Sequence, residues 1–259
     1  MHSLDLQDSP VQRAGRATLI WAADWRRLLQ AAAALLVLAL SPSSYGGANR
    51  SAMARHLVVG AALNLAGFCT LVALLALMLT RIVVGTASGL GLSQFSIEML
   101  VRVLVLELIP LAAALFVALR LALPKGGELV ALRGSADGGR PDLAFLQREV
   151  LPRSLACAVQ LLLLVTASGL VAAALAYVAV HSGSTAGIAG FNRTVGRTLA
   201  PATATVFVLK TVVFAAVVSL VPLAAALRRR GAGTELGALT RLFSLLLLIQ
   251  IAALAGIYA

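Results

Sequence analysis

The chain has 259 residues, of which 60% are hydrophobic and only 12% charged, and its net charge is +11. Its mean hydropathy of +0.96 excludes a soluble domain of this length. The surplus of Lys and Arg does not indicate nucleic acid, because aromatic residues make up 5% of the chain and no basic stripe alternates with stacking side chains. Positive flanks of membrane helices account for it better.

In chain order, the first sixteen residues are polar, and no early apolar run precedes a small-residue cleavage site. Trp21, Trp25, Arg26 and Arg27 form a headgroup-level anchor before a short apolar stretch, Leu28 to Leu40. About a dozen residues suit an interfacial or re-entrant helix rather than a crossing. Five longer runs follow, at about 58–80, 98–123, 154–180, 203–227 and 239–258, each long enough to span a bilayer of ~30 Å. The expected fold is therefore an all-α polytopic membrane protein. Residues 1–54 form an N-terminal tail and interfacial helix, and residues 55–259 a five-helix domain.

Orientation follows from the Lys/Arg count of the connections. The segment 124–153 carries Lys125, Arg133, Arg140, Arg148 and Arg153, and the segment after the fourth run carries Arg228, Arg229, Arg230 and Arg241. The other two connections carry Arg81, and Arg193 with Arg197. Placing the richer set in the cytoplasm gives a cytoplasmic N-terminus and an external C-terminus, provided residues 28–40 do not cross.

Within 124–153, Glu128–Arg133 and Leu143–Val150 read as helical pieces separated by the turn-rich GSADGGRPD. They are either an ordinary linker or the place where a motor subunit would push. The stretch Gly85 to Phe95 and the external connection HSGSTAGIAGFNRTVGRTLAPAT read as irregular or, in the latter case, a short surface helix.

Charges inside the apolar runs are the functional clues. Glu107 lies in the second run with Pro110 and Arg120, and a charge at bilayer depth costs roughly 2.5–3.5 kcal/mol on insertion scales. Lys210, in the fourth run, either snorkels to the outer interface, the favoured reading, or lines a cavity or pairs with an acid such as Glu107. Glu98 and Arg102 share a helix face four residues apart. Ala167, Ser168, Gly169 and Ala172 to Ala174 read as a close-packing face. Cys69 and Cys157 read as small packed side chains.

No metal-ligand spacing, HExxH, GxSxG or Walker A sequence occurs, so the chain is expected to be neither an enzyme nor a P-loop ATPase.

The run from Val101, VRVLVLELIPLAAALFVALRLALPKGGELVALRG, resembles the signature of the MlaE/YrbE permease family, through Glu107, Pro110, Arg120 and Glu128. Pro152 and Arg153 in LPRSLA match the pair that opens the next span. LKTVVFA, with Lys210, and GTELGALTRLFSLLLL, with Gly237, Thr240 and Arg241, match later landmarks. Two positions depart from the pattern: Leu119 stands where a Gly precedes the Arg, and the coupling-helix core is replaced by a shorter Gly- and Asp-rich segment.

The resemblance implies an ABC transporter permease in the bacterial inner membrane, acting as a homodimer. Its partners would be an ATPase subunit that holds ATP and Mg and an MCE-domain periplasmic protein. The substrate would be phospholipid or another hydrophobic molecule, with no cofactor in this chain and no nucleic acid. Glu107, Pro110, Arg120 and Lys210 would serve the substrate pathway or its gating. Glu128, Arg133, Leu143, Arg148, Pro152 and Arg153 would serve ATPase coupling. The alternative is a non-transporting membrane scaffold derived from the same family, which the altered coupling segment favours.

Overall fold

A computed structural model describes residues 61–90, 96–134, 145–181, 187–226 and 234–258, together with scattered positions between 26 and 41. Among the described residues nearly all are helical and none forms a strand. Five helical rods are long and apolar enough to cross a bilayer, at Ala62–Ala87, Ile97–Leu132, Leu146–Val180, Pro201–Leu223 and Leu239–Gly256. In hydrocarbon a backbone must satisfy its own polar groups, so an apolar chain of this composition resolves into such rods.

The first span is α1, Ala61–Gly89. The second is one continuous rod built from α2 (Ser96–Leu100), a π-helical segment π1 (Val101–Leu108), α3 (Ile109–Val117), a second π segment π2 (Ala118–Ala122) and α4 (Leu123–Gly134). The third runs from π3 (Leu146–Val150) directly into α5 (Leu151–His181). A short helix, α6 (Ile188–Thr198), precedes the fourth span, α7 (Pro201–Ala226), and α8 (Thr234–Tyr258) is the fifth.

Three expected boundaries shift. The second span does not end near Leu123. It continues as helix to Gly134, so the piece Glu128–Arg133 is an extension of the span rather than a separate helix. The piece Leu143–Val150 likewise leads into α5 through π3, although Leu143 itself lies outside the described residues. At the other end, α1 extends through Gly89, farther than its hydropathy window suggested. The described positions between residues 26 and 37 are helical, matching the short N-terminal helix expected there.

The three π segments have a common cause. Each ends immediately before a residue–proline pair, at Ile109–Pro110, Leu123–Pro124 and Leu151–Pro152. The residue before each proline donates five residues back, from Ile109 to Leu104, Leu123 to Ala118 and Leu151 to Leu146. Inside an α-helix a proline ring collides with the carbonyl four residues earlier, and one wider turn relieves that collision. The rods therefore pass through their prolines without breaking.

The second span, α5 and α7 form the centre. α1 packs mainly on α5, and α8 packs on α7 and touches α3. The continuous core includes Phe68, Val72, Leu104, Ile109, Ala113, Leu161, Leu164, Phe214, Val218 and Leu246. Phe68 and Phe116 meet with ring centroids 5.1 Å apart. Ser168 and Ala172 are fully buried, and Gly169 faces Val105 across the contact between α5 and π1. A smaller cluster of Leu129, Val150, Leu220 and Leu223 ties α4, π3 and α7 together, with Ala32 of the N-terminal segment packed on it.

Candidate functional site

Glu107 lies at the end of π1, and Lys210 sits in α7. Both lie about ten residues, or ~15 Å, from the end of the bundle where α2 and α7 begin. That depth is close to the middle of a hydrocarbon core of ~30 Å. The two spans run in the same direction, so equal distances bring the two residues to one level. There the Lys210 ammonium donates to Glu107 Oε2 at 2.7 Å and to the carbonyl oxygen of Leu106 at 2.6 Å.

Lys210 is 2% exposed, so it does not snorkel to the interface, the outcome that the sequence alone favours. The reason is the partners: an acid and a carbonyl oxygen at its own depth make burial cheaper than bending the stem outward.

A third span completes the site. Gln250, in α8 and 8% exposed, donates through Nε2 to the same Glu107 oxygen. Glu107 thus links three spans. Among the described residues, Glu107 Oε1 and Gln250 Oε1 are buried with no hydrogen-bond partner. One carboxylate, one ammonium and one amide leave the cluster formally neutral, with two acceptors available to a donor group or a proton.

Sequence reasoning misses Gln250. A neutral amide in LLLLIQIAALAG leaves no charge signal, and the only hint is a polar residue in an apolar run.

Pro110, three residues after Glu107, is buried beside this cluster. Arg120 is not brought to it. It stands on π2 with an exposed side chain, thirteen residues or ~20 Å along the rod from Glu107.

A second constellation lies at the opposite end of the bundle. Arg153, 7% exposed, donates through Nη1 to Glu149 Oε2 at 2.5 Å and to the Glu149 carbonyl at 2.7 Å. Its Nε lies 3.8 Å from Glu128 Oε2, within ion-pair range but beyond a hydrogen bond. Glu128 is mostly exposed, and with Ala131, Leu132 and Arg153 it lines an open recess of about 460 Å³. Arg153 therefore joins the end of the second span to the start of the third. Pro152 beside it is buried, and Arg148 on π3 is exposed. Arg133 lies in α4. Glu98 and Arg102 form the expected pair along one face, at 3.5 Å.

These five spans, with their landmarks in this order, can be compared with known proteins. The family model described as Permease MlaE matches residues 53–255. The chain belongs to the MlaE permease family. A search of curated proteins finds no match. As an MlaE-family chain it is a membrane permease subunit, a transporter component and not a catalytic enzyme. Among the described residues no three His, Cys, Asp or Glu side chains converge as a metal site. The match begins at residue 53, so it takes in all five spans and both constellations, and leaves out the tail and short helix before them.

Proposed function

We propose that the chain is the membrane-spanning subunit of an MCE-type ABC transporter. It would act as a homodimer and move phospholipids or other hydrophobic molecules between the inner membrane and a periplasmic MCE assembly. The observation that carries this reading is the match of the MlaE permease family to residues 53–255. In this reading Glu107 and Lys210, with Pro110, gate the substrate path. A neutral cluster buried at mid-depth can hold the spans closed and still release them when a polar group competes for its two open acceptors. The residues flanking the recess at Glu128 and Arg153, with Arg133, Leu143, Arg148 and Pro152, receive a partner ATPase, which supplies ATP and Mg.

Arg153 is suited to that role by its placement. A force applied at Glu128, on the second span, reaches the third span through one guanidinium held at 2.5 Å to Glu149.

The second reading is a membrane scaffold that has lost coupling. It is favoured by the Gly- and Asp-rich replacement of the coupling segment around residues 134–142. Purification of the full chain from its native membrane in mild detergent separates the two. A P-loop ATPase and an MCE-domain protein recovered in stoichiometric amounts establish the transporter, and Arg153→Ala then releases the ATPase but not the MCE protein. Recovery of the MCE protein with no ATPase favours the scaffold.

A further inference from the structure

Glu107 is served by a lysine from another span, whereas Glu149 is served by Arg153 of its own helix, four residues on. Yet both acids occupy the same place in their rods, three residues before a proline that follows a π segment. The difference lies in what the two bases also reach. Arg153 reaches the carbonyl of the acid itself, while Lys210 reaches the carbonyl of Leu106.

Leu106 is four residues before Pro110. Its oxygen is therefore the acceptor that the residue at position 110 would serve in an α-helical register. Pro110 has no N–H to give it. In the hydrocarbon core a carbonyl deprived of its helical donor must be served by another group or left at a cost.

We propose that Lys210 is the positioning residue of the second span, whose ammonium takes the place of the backbone N–H that Pro110 lacks. One contact from α7 to Leu106 and a second to Glu107 then hold the chain on both sides of the peptide link between them. This fixes the turn at which the register changes from π to α. A π turn displaces every later residue of the rod by about one position, or ~100° of rotation, so the same hold decides which face α3 turns toward α7 and α8. Pro110 and Lys210 form a unit: the proline creates the need for a donor, and the lysine meets it from across the bundle.

The reading of Lys210 as an ion-pair partner alone makes a different prediction, which a double-mutant cycle separates. Full-length protein is purified in detergent, and thermal unfolding is followed for wild type, Pro110→Ala, Lys210→Met and the double variant. Lys210→Met is expected to lower Tm by about 5 °C. In the Pro110→Ala background the loss is expected to be about half as large, because the restored N–H at position 110 can serve Leu106. Equal losses in both backgrounds overturn the proposal, since Lys210 then acts only through the carboxylate.

Where Lys210→Met alone does not yield folded protein, the cycle is run in Glu107→Gln, which leaves no unpaired carboxylate. There Lys210→Met must still lower Tm, and Pro110→Ala must still reduce that loss. No effect of Lys210→Met in that background also overturns the proposal. These measurements read stability, so they stand independently of whether the chain transports lipid.

Discussion

At the scale of single residues, the weight falls on a charge that is costly to bury and costly to leave alone. Glu107 shares one oxygen between the Lys210 ammonium and the Gln250 amide. Removing one member strands the others in a low-dielectric interior, where an unpartnered charge costs more than the pair gained. Polar contacts between membrane helices are worth about 1–2 kcal/mol at most, because the separated helices also find partners. Lys210→Met and Glu107→Gln are each expected to destabilise the detergent-purified protein by about 1–3 kcal/mol. The double variant should lose less than the sum, because neither charge is then stranded. Strictly additive losses would show that the pair carries no coupling. If the cluster also gates the substrate path, Glu107→Gln lowers lipid transport in the reconstituted complex. Full transport with normal assembly removes that role.

Single helices show what a close approach permits. A Cβ placed on Gly169 would meet Val105 Cγ1 at 3.8 Å, an ordinary contact. The glycine is therefore not required by space at that atom, and it weakens its helix by roughly 1 kcal/mol relative to alanine. Gly169→Ala should leave Tm unchanged or slightly raised. Gly169→Leu pushes α5 away from π1 and should cost about 1–3 kcal/mol by overpacking. A drop for the alanine variant as large as that for leucine would mean that the two rods pack more tightly than the 3.8 Å spacing implies.

Much of this level was legible in the sequence. Hydropathy windows locate all five spans, because length and apolarity are what a bilayer selects. The pairing of Glu98 with Arg102 follows from helical spacing alone. The site was only half legible. Lys210 could be assigned to the interface or to Glu107, since depth along α7 says nothing about which face meets the second span. Gln250 carries no charge and so left no signal. The π segments were invisible to periodicity, although their cause is plain in the chain as prolines at 110, 124 and 152. The continuation of the second span to Gly134 was hidden because hydropathy falls at Lys125 and Glu128, where the helix leaves the apolar layer without ending.

For the whole molecule, five crossings predict that the two chain ends lie on opposite sides of the membrane. The order of five crossings assigns to one side the chain between the second and third spans, the chain after α7 with Arg228, Arg229 and Arg230, and the stretch before α1. Ala32 of the N-terminal segment packs on the cluster of Leu129, Val150, Leu220 and Leu223. Ala32 thus rests at the end of the bundle that α4 and π3 share, and the dozen or so apolar residues around it are too few for a crossing. The opposite end carries α6 with Arg193 and Arg197, a smaller positive charge. Because basic connections are retained in the cytoplasm, the N-terminus is expected there and the C-terminus outside. An epitope after Ala259 should be reached by antibody on intact spheroplasts, and one placed before residue 28 only after permeabilisation. Both epitopes reached on the same side would mean that residues 28–40 cross the membrane. That outcome would raise the number of spans to six and detach the packing of Ala32 from the topology argued here.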